Sequence, residues 1–413
     1  MYGTLALTHR AVDDLADAAG AECIDDLRRL ARPLEGLRIL NLSLKGFGTG
    51  TAELLASSVP LLTDLGLDCH WQVVRTSEDA AHAHNAMYKA LGGAAVMWTQ
   101  EMTDAWLRTM EMNADLLTEP FDVVIVHDPQ PAAIRSFVEG GGGAMWLFHP
   151  HLDLSAAQED VWLQLRSHVV KYEAAIFETK SFRGPDLDLP VYIVPPAIDP
   201  NSARNMELPP ELIRTILERH GVDPSRPLVC QVSPCDAESD LAGAVDTVCA
   251  LRDRFPGLQL ALILTTRPQD VSGRAAYDEV ARCCIDKEDV FVLGMGGEFG
   301  SVELNAFQRA ADVVMQRGLR RGFGLWVSDA LWKERPVVVG EAPGLQQQVI
   351  DGETGLVATT PAQYEEAVAR LLSDRELAAR LGRNGQRHVA DHFLITRYLR
   401  DYLEVLTDLR RAR

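Results

Sequence analysis

Short apolar runs rich in β-branched residues, spaced by stretches long enough for a helix, recur along most of this chain. They fall at residues 37–42, 69–74, 121–126, 144–148, 175–177 and 191–194, and again at 228–232, 258–264, 290–293, 312–315 and 336–339. A strand with one wet face alternates apolar and polar residues, whereas a continuous apolar run is buried on both faces. Strands of the second kind, each followed by a helical stretch, predict parallel sheets with crossover helices on both sides. Two such series predict two α/β domains, and 413 residues are too many for one ordinary core.

The series break at 194–200, Val-Pro-Pro-Ala-Ile-Asp-Pro. Prolines at that density deny both helix and central strand and leave a stiff extended connector. The predicted domains are therefore 1–200 and 201–394. A last helix over about 395–413 carries an apolar stripe of Tyr398, Tyr402, Leu403 and Leu406.

The formal net charge of -19 makes a nucleic-acid or anionic-membrane partner unexpected. Seven cysteines without CxxC spacing point to free thiols in a reducing cytoplasm. The N-terminal segment lacks a signal-peptide pattern, and no apolar run reaches membrane-spanning length.

Polar and glycine-rich segments follow several of the predicted strands, where open α/β sheets collect their ligands. After the first comes Lys-Gly-Phe-Gly-Thr-Gly at 45–50, leading into a helix. Gly48, Thr49 and Gly50 there suit either a tight strand-to-helix turn or a loop whose amides meet a phosphate or hydroxyl cluster. After the third comes Val-His-Asp-Pro-Gln-Pro, presenting His127, Asp128 and Gln130. After the fourth comes His-Pro-His-Leu-Asp-Leu-Ser, with His149, His151 and Asp153. No further imidazole or carboxylate stands at ligand spacing on a predicted helix, so no metal is expected, and His151 reads as a hydroxyl ligand or proton-transfer group. In the second series Arg320 and Arg321 precede Gly322-Phe323-Gly324-Leu325 and a helix bearing Asp329. Two arginines beside a helix start suit a diphosphate, and Asp329 suits ribose hydroxyls.

These segments, with the 194–200 connector, Asn-Ala-Phe-Gln-Arg-Ala at 305–310 and Val-Ile-Asp-Gly-Glu-Thr-Gly at 349–355, occur in a recognisable order. From about residue 37 to the end the chain resembles the trehalose glycosyltransferring synthases, retaining enzymes of glycosyltransferase family 4. The resemblance implies a GT-B fold: two Rossmann-like domains facing across a deep cleft, with the C-terminal helix returning to the N-terminal domain. It implies an acceptor site mainly in the first domain and a nucleotide-diphosphosugar donor site, with Ser233, in the second. The sugar nucleotide is then substrate and no cofactor is needed; a homodimer is left open. Gly48, Thr49 and Gly50 match the family's glycine loop, His151 its histidine near the sugar, and Gly322, Phe323 and Gly324 the turn that meets donor-sugar hydroxyls.

The departures from the family are patterned. Pro234 stands where the resemblance expects an arginine of the diphosphate clamp, and Ser239 where it expects the lysine. Arg321 and Asp329 occupy the positions of two glutamates eight residues apart. Each lost charge-assisted contact weakens donor binding by roughly 1.5–3 kcal/mol. The expected activity is sugar transfer to a small acceptor in actinobacterial, antibiotic-type metabolism, with S-glycosylation of a thiol as one form. The alternatives are an ordinary trehalose synthase and a catalytically inactive binding protein of the same fold.

Overall fold

The computed structural model describes residues 5–234, 239–265, 277–278, 280–282, 284–294, 299–318 and 322–412. The chain forms two compact units, Met1–Ala197 with Ile395–Arg413, and Ile198–Leu394.

The first unit is built on a parallel sheet of β1 (Arg38–Ser43), β2 (Asp68–Val73), β3 (Val123–His127), β4 (Met145–His149), β5 (Ala174–Phe177) and β6 (Val191–Ile193), ordered β2-β1-β3-β4-β5-β6. Successive side chains of a strand point to opposite faces. Ile39, Val123, Ile125, Leu147 and Ile176 accordingly pack into one core, while Leu40, Val124, Val126, Phe148 and Phe177 pack into another. The first core includes Tyr398, Tyr402, Leu403 and Leu406 of the last helix, Ile395–Ala412. The apolar stripe on that helix thus covers one face of this sheet.

The second unit repeats the plan with β7 (Leu228–Ser233), β8 (Gln259–Leu264), β9 (Val290–Gly294), β10 (Val313–Gln316), β11 (Val337–Val339) and β12 (Leu356–Val357), ordered β12-β11-β10-β7-β8-β9. Its strand pairs are also parallel. Every apolar run singled out in the sequence is a strand, and the expected pair of parallel α/β sheets is present. The strand the sequence did not reveal is β12, which has only two residues.

Each sheet has one place where chain order reverses direction, and ligands of such sheets bind outside the strand carboxyl ends there. In the first sheet the reversal lies between β1 and β3; in the second it lies between β7 and β10. Among the described residues no helix is long and apolar enough to cross a membrane.

Candidate active site

At the first reversal, β1 runs into the glycine loop and β3 ends in His127 and Asp128. Gly48 adopts φ 72, a left-handed backbone that glycine enters without strain. Thr49 then caps the helix Gly50–Asp64, its Oγ1 accepting from the Ala52 amide at 3.1 Å. Asp128 holds the loop from across the reversal. Its Oδ2 accepts from the Leu44 amide and its Oδ1 from the Thr51 hydroxyl, both at 3.1 Å. Asp128 is itself left-handed, with φ 67, which costs about 1–3 kcal/mol at a non-glycine residue. Burial raises its carboxyl above the usual range, opposed by His151 and by these two hydrogen bonds.

Beside Asp128 lies a cluster of imidazoles. Parallel register sets His127 directly against His149. Period two places both, with Asn41 of β1, on the sheet face that the last helix covers. His151, two residues beyond β4, turns back through a left-handed backbone with φ 52. Its Nε2 meets His127 Nδ1 at 2.9 Å, and its Nδ1 meets Glu178 Oε1 at 3.2 Å. His127 Nε2 lies 3.0 Å from Asn41 Oδ1, and His149 Nδ1 lies 2.6 Å from the Tyr402 hydroxyl. Burial holds the His127 and His149 rings well below the usual histidine range, and the charge on His151 adds to the effect.

His149 and His151 lie two residues apart in the sequence, and the sheet brings His127 beside them, with one nitrogen of each ring within 4.8 Å of the others. His127 Nδ1 and His151 Nε2 are taken up by their mutual hydrogen bond. Gln130 and Asp153 are not drawn into this cluster by their hydrogen bonds. Gln130 Nε2 donates to the His84 carbonyl at 3.3 Å, and Asp153 Oδ1 accepts from the Ser155 amide at 2.9 Å. Asn41, Glu178 and Tyr402 were not singled out as site residues in the sequence, because only strand order and the last helix bring them to the histidines.

At the second reversal β7 ends in Gln231, Val232 and Ser233. Gln231 Nε2 donates to Ser233 Oγ at 3.1 Å and to the Ser239 carbonyl at 2.9 Å. Ser239 turns its hydroxyl onto the Pro234 carbonyl at 2.7 Å. The two expected clamp positions therefore meet each other, and neither carries charge. A cation does stand at this edge: Arg317, one residue past β10. Its Nε donates to Asp240 Oδ2 at 2.7 Å, its Nη1 to Thr247 Oγ1 at 3.0 Å, and its guanidinium lies 4.1 Å from the Tyr364 ring centroid. Sequence reasoning passed over Arg317 in favour of Arg320 and Arg321, which lie outside the described residues.

The Gly322-Phe323-Gly324 turn is fixed from behind. Gln348 Nε2 donates to the Phe323 carbonyl at 2.6 Å, and the Phe323 ring packs 5.7 Å from Phe393. Leu325 follows the turn and caps the helix Trp326–Trp332. Asp329 of that helix is 1% exposed. Its Oδ1 accepts from Asn205 Nδ2 at 2.8 Å, and Arg204 Nη1 lies 3.6 Å from its Oδ2. Lys333 completes this network, donating to Asn205 Oδ1, Gln308 Oε1 and the Asp329 carbonyl at 2.8, 2.9 and 2.9 Å. The 305–310 motif thus ties its helix to the segment after the connector, Asn305 Nδ2 donating to the carbonyls of Ala203 and Met206.

The chain matches two family models: "Trehalose synthase, N-terminal domain" over residues 42–184 and "Glycosyl transferases group 1" over residues 287–388. It is 35% identical over 406 residues to a trehalose synthase of Rubrobacter xylanophilus and 34% identical over 403 residues to one of Pyrococcus horikoshii, with 97% of each chain covered in both cases. Its fold is that of a trehalose-phosphate synthase from Burkholderia vietnamiensis, with a TM-score of 0.73 at 15% identity, covering 91% of this chain and 100% of that one. The full-length identity to trehalose synthases and the two parallel sheets together place this chain in the trehalose synthase family of GT-B glycosyltransferases.

Proposed function

We propose that this glycosyltransferase takes a sugar from a nucleotide diphosphate carrier and delivers it to a small acceptor other than free glucose. In this reading the first unit holds the acceptor and the second the donor. The bond from the sugar's anomeric carbon to the diphosphate breaks, the diphosphate leaves with the electron pair, and the acceptor's nucleophilic atom bonds to that carbon. The carrying observation is the uncharged contact of Ser239 with Pro234, where the resemblance expects two cations. A leaving diphosphate then needs another positive partner. Arg321, with Arg320, is the proposed partner, beside the Gly322-Phe323-Gly324 turn. Asp329, expected from the sequence to meet ribose hydroxyls, is proposed instead to set the helix that follows this turn, since it is buried and accepts from Asn205.

Without the two-cation clamp, a nucleophile that reacts readily is favoured, and a thiol is the strongest candidate of that kind. Specialised, antibiotic-type metabolism suits such an acceptor. Replacing Arg321 with alanine is expected to weaken nucleotide-sugar binding and turnover by about ten- to a hundredfold, the loss of one charge-assisted contact. Unchanged affinity and turnover would remove Arg321 from the donor site.

A second reading, ordinary trehalose synthesis, is favoured by full-length relatives that carry that name. Incubation with glucose and nucleotide-activated glucose separates the two. Trehalose as the main product supports the second reading and overturns the first.

A further inference from the structure

The hydrogen bonds around the histidine cluster run in one direction, and following them assigns the ring protons one by one. Asn41 Nδ2 donates to the His70 carbonyl at 3.2 Å, an oxygen that only accepts. Asn41 Oδ1 is therefore the atom facing His127 Nε2, and that nitrogen must carry a hydrogen. The His127 ring is fully buried and held neutral, so its Nδ1 is a bare acceptor. His151 Nε2, 2.9 Å away, must donate to it. The other nitrogen of His151 lies 3.2 Å from Glu178 Oε1, on a side chain only 4% exposed. One proton is shared across that contact. An ionised carboxylate only accepts, so beside it this ring nitrogen is the donor.

We infer that Glu178 is a positioning residue that keeps a hydrogen on both ring nitrogens of His151, one donated to His127 and one to Glu178, so that His151 faces its ligand as a cation with no bare nitrogen and not as a base. Asn41 sets the direction of the chain and Glu178 closes it. The other titratable groups around the pair come from every neighbouring element. His127 and Asp128 stand at the end of β3, His149 at the end of β4, and Tyr398 and Tyr402 on the last helix, with Lys45 of the glycine loop acting on Asp128. None of them supplies a second anion as near to the ring as Glu178 Oε1.

The consequence for chemistry rests on the sugar-transfer reading. If His151 takes no proton, the acceptor's nucleophilic atom must arrive ionised or pass its proton to an oxygen of the departing diphosphate. The site then suits acceptors that ionise near neutral pH better than simple alcohols.

Nitrogen-15 spectra of the histidine rings in the full chain at pH 7 test the inference without any substrate. In the unaltered protein His151 is expected to show hydrogens on both nitrogens, and His127 on one. In Glu178→Gln the amide can donate to His151 Nδ1, so the cluster stays bonded while His151 becomes neutral with its single hydrogen on Nε2. The fall of kcat/KM at high pH is expected to begin at lower pH in that variant. A bare ring nitrogen on His151 in the unaltered protein overturns the inference, whether or not the variant folds. So does stoichiometric zinc that shifts all three rings, because an ion needs a bare nitrogen on His151. Absence of sugar transfer with the expected spectra would count against the functional reading and leave the proton assignment standing.

Discussion

Replacing Lys333 with methionine will lower the free energy of unfolding by roughly 3–5 kcal/mol, the usual cost of removing one partner from a buried charged network. Lys333 is 4% exposed, and its ammonium donates to Asn205, Gln308 and the Asp329 carbonyl. Methionine matches the stem but leaves those acceptors unsatisfied and takes a countercharge from the buried Asp329 carboxylate. The pH dependence carries a second signature. Burial lowers the Lys333 ammonium to about 7, with Asp329 opposing the shift. An unfolded lysine keeps its proton to about pH 10.4. Above pH 7 the unfolded chain therefore binds more protons at this residue than the folded chain, and this group's contribution to stability rises with pH. Urea unfolding at pH 7, 8 and 9 should show the gap between the two proteins widening upward. A gap below about 1 kcal/mol at pH 7, or one that narrows with pH, would contradict the network.

Gly344→Ala will reduce kcat/KM by about a hundredfold or more while the protein stays folded, because it displaces the turn proposed to bind the donor. A methyl group at Gly344 would lie 2.8 Å from Phe323 Cα and 2.9 Å from the Gly322 and Phe323 carbonyl oxygens. All three are backbone atoms, so no flexible side chain can swing away. The Gly322-Phe323-Gly324 turn has to move as a piece, against the Gln348 hydrogen bond that holds the Phe323 carbonyl. Gly300→Ala is the control, since its added carbon finds only Glu303 Oε2 at 3.4 Å, an ordinary contact. Equal activity in the two variants would show that the turn takes no part in the reaction.

The strands were legible because a strand buried on both faces has to be apolar along its whole length. Among the described residues only the strand Leu356–Val357 escaped, since two residues make no pattern. Polar residues ending those strands were legible too: His127 and Asp128 after one apolar run, His149 and His151 after the next. Their partners were not. Glu178 follows β5 as many acids follow strands, and Asn41 reads as an interruption in an apolar run. Strand order alone sets β1 and β4 on either side of β3, and β5 next to β4. Arg317 was hidden for a different reason. It shares a short segment with two other arginines, and its burial against Tyr364, Thr247 and Asp240 depends on two distant parts of the chain. Chemistry at the end of a strand is local and readable, whereas the partners that orient it are set by topology.

The departures at Pro234 and Ser239 can also be seen in physical terms. Ser239 Oγ is committed to the Pro234 carbonyl, and Gln231 holds the Ser239 carbonyl from below. A lysine at 239 would have to break this packing, since Ser239 is 1% exposed. Positions 234 and 239 carry no charge, which is why the donor's charge is assigned to the arginines before the glycine turn.

The most direct test of sugar transfer is release of nucleoside diphosphate from a panel of nucleotide sugars. It should be run with thiol and hydroxyl acceptors, with mass spectrometry of the acceptor. The proposed function predicts that at least one donor is cleaved only when an acceptor is present, and that the acceptor gains one sugar, with thiols preferred over glucose. No binding of any nucleotide diphosphate by calorimetry, together with no glycosylated product, would contradict it.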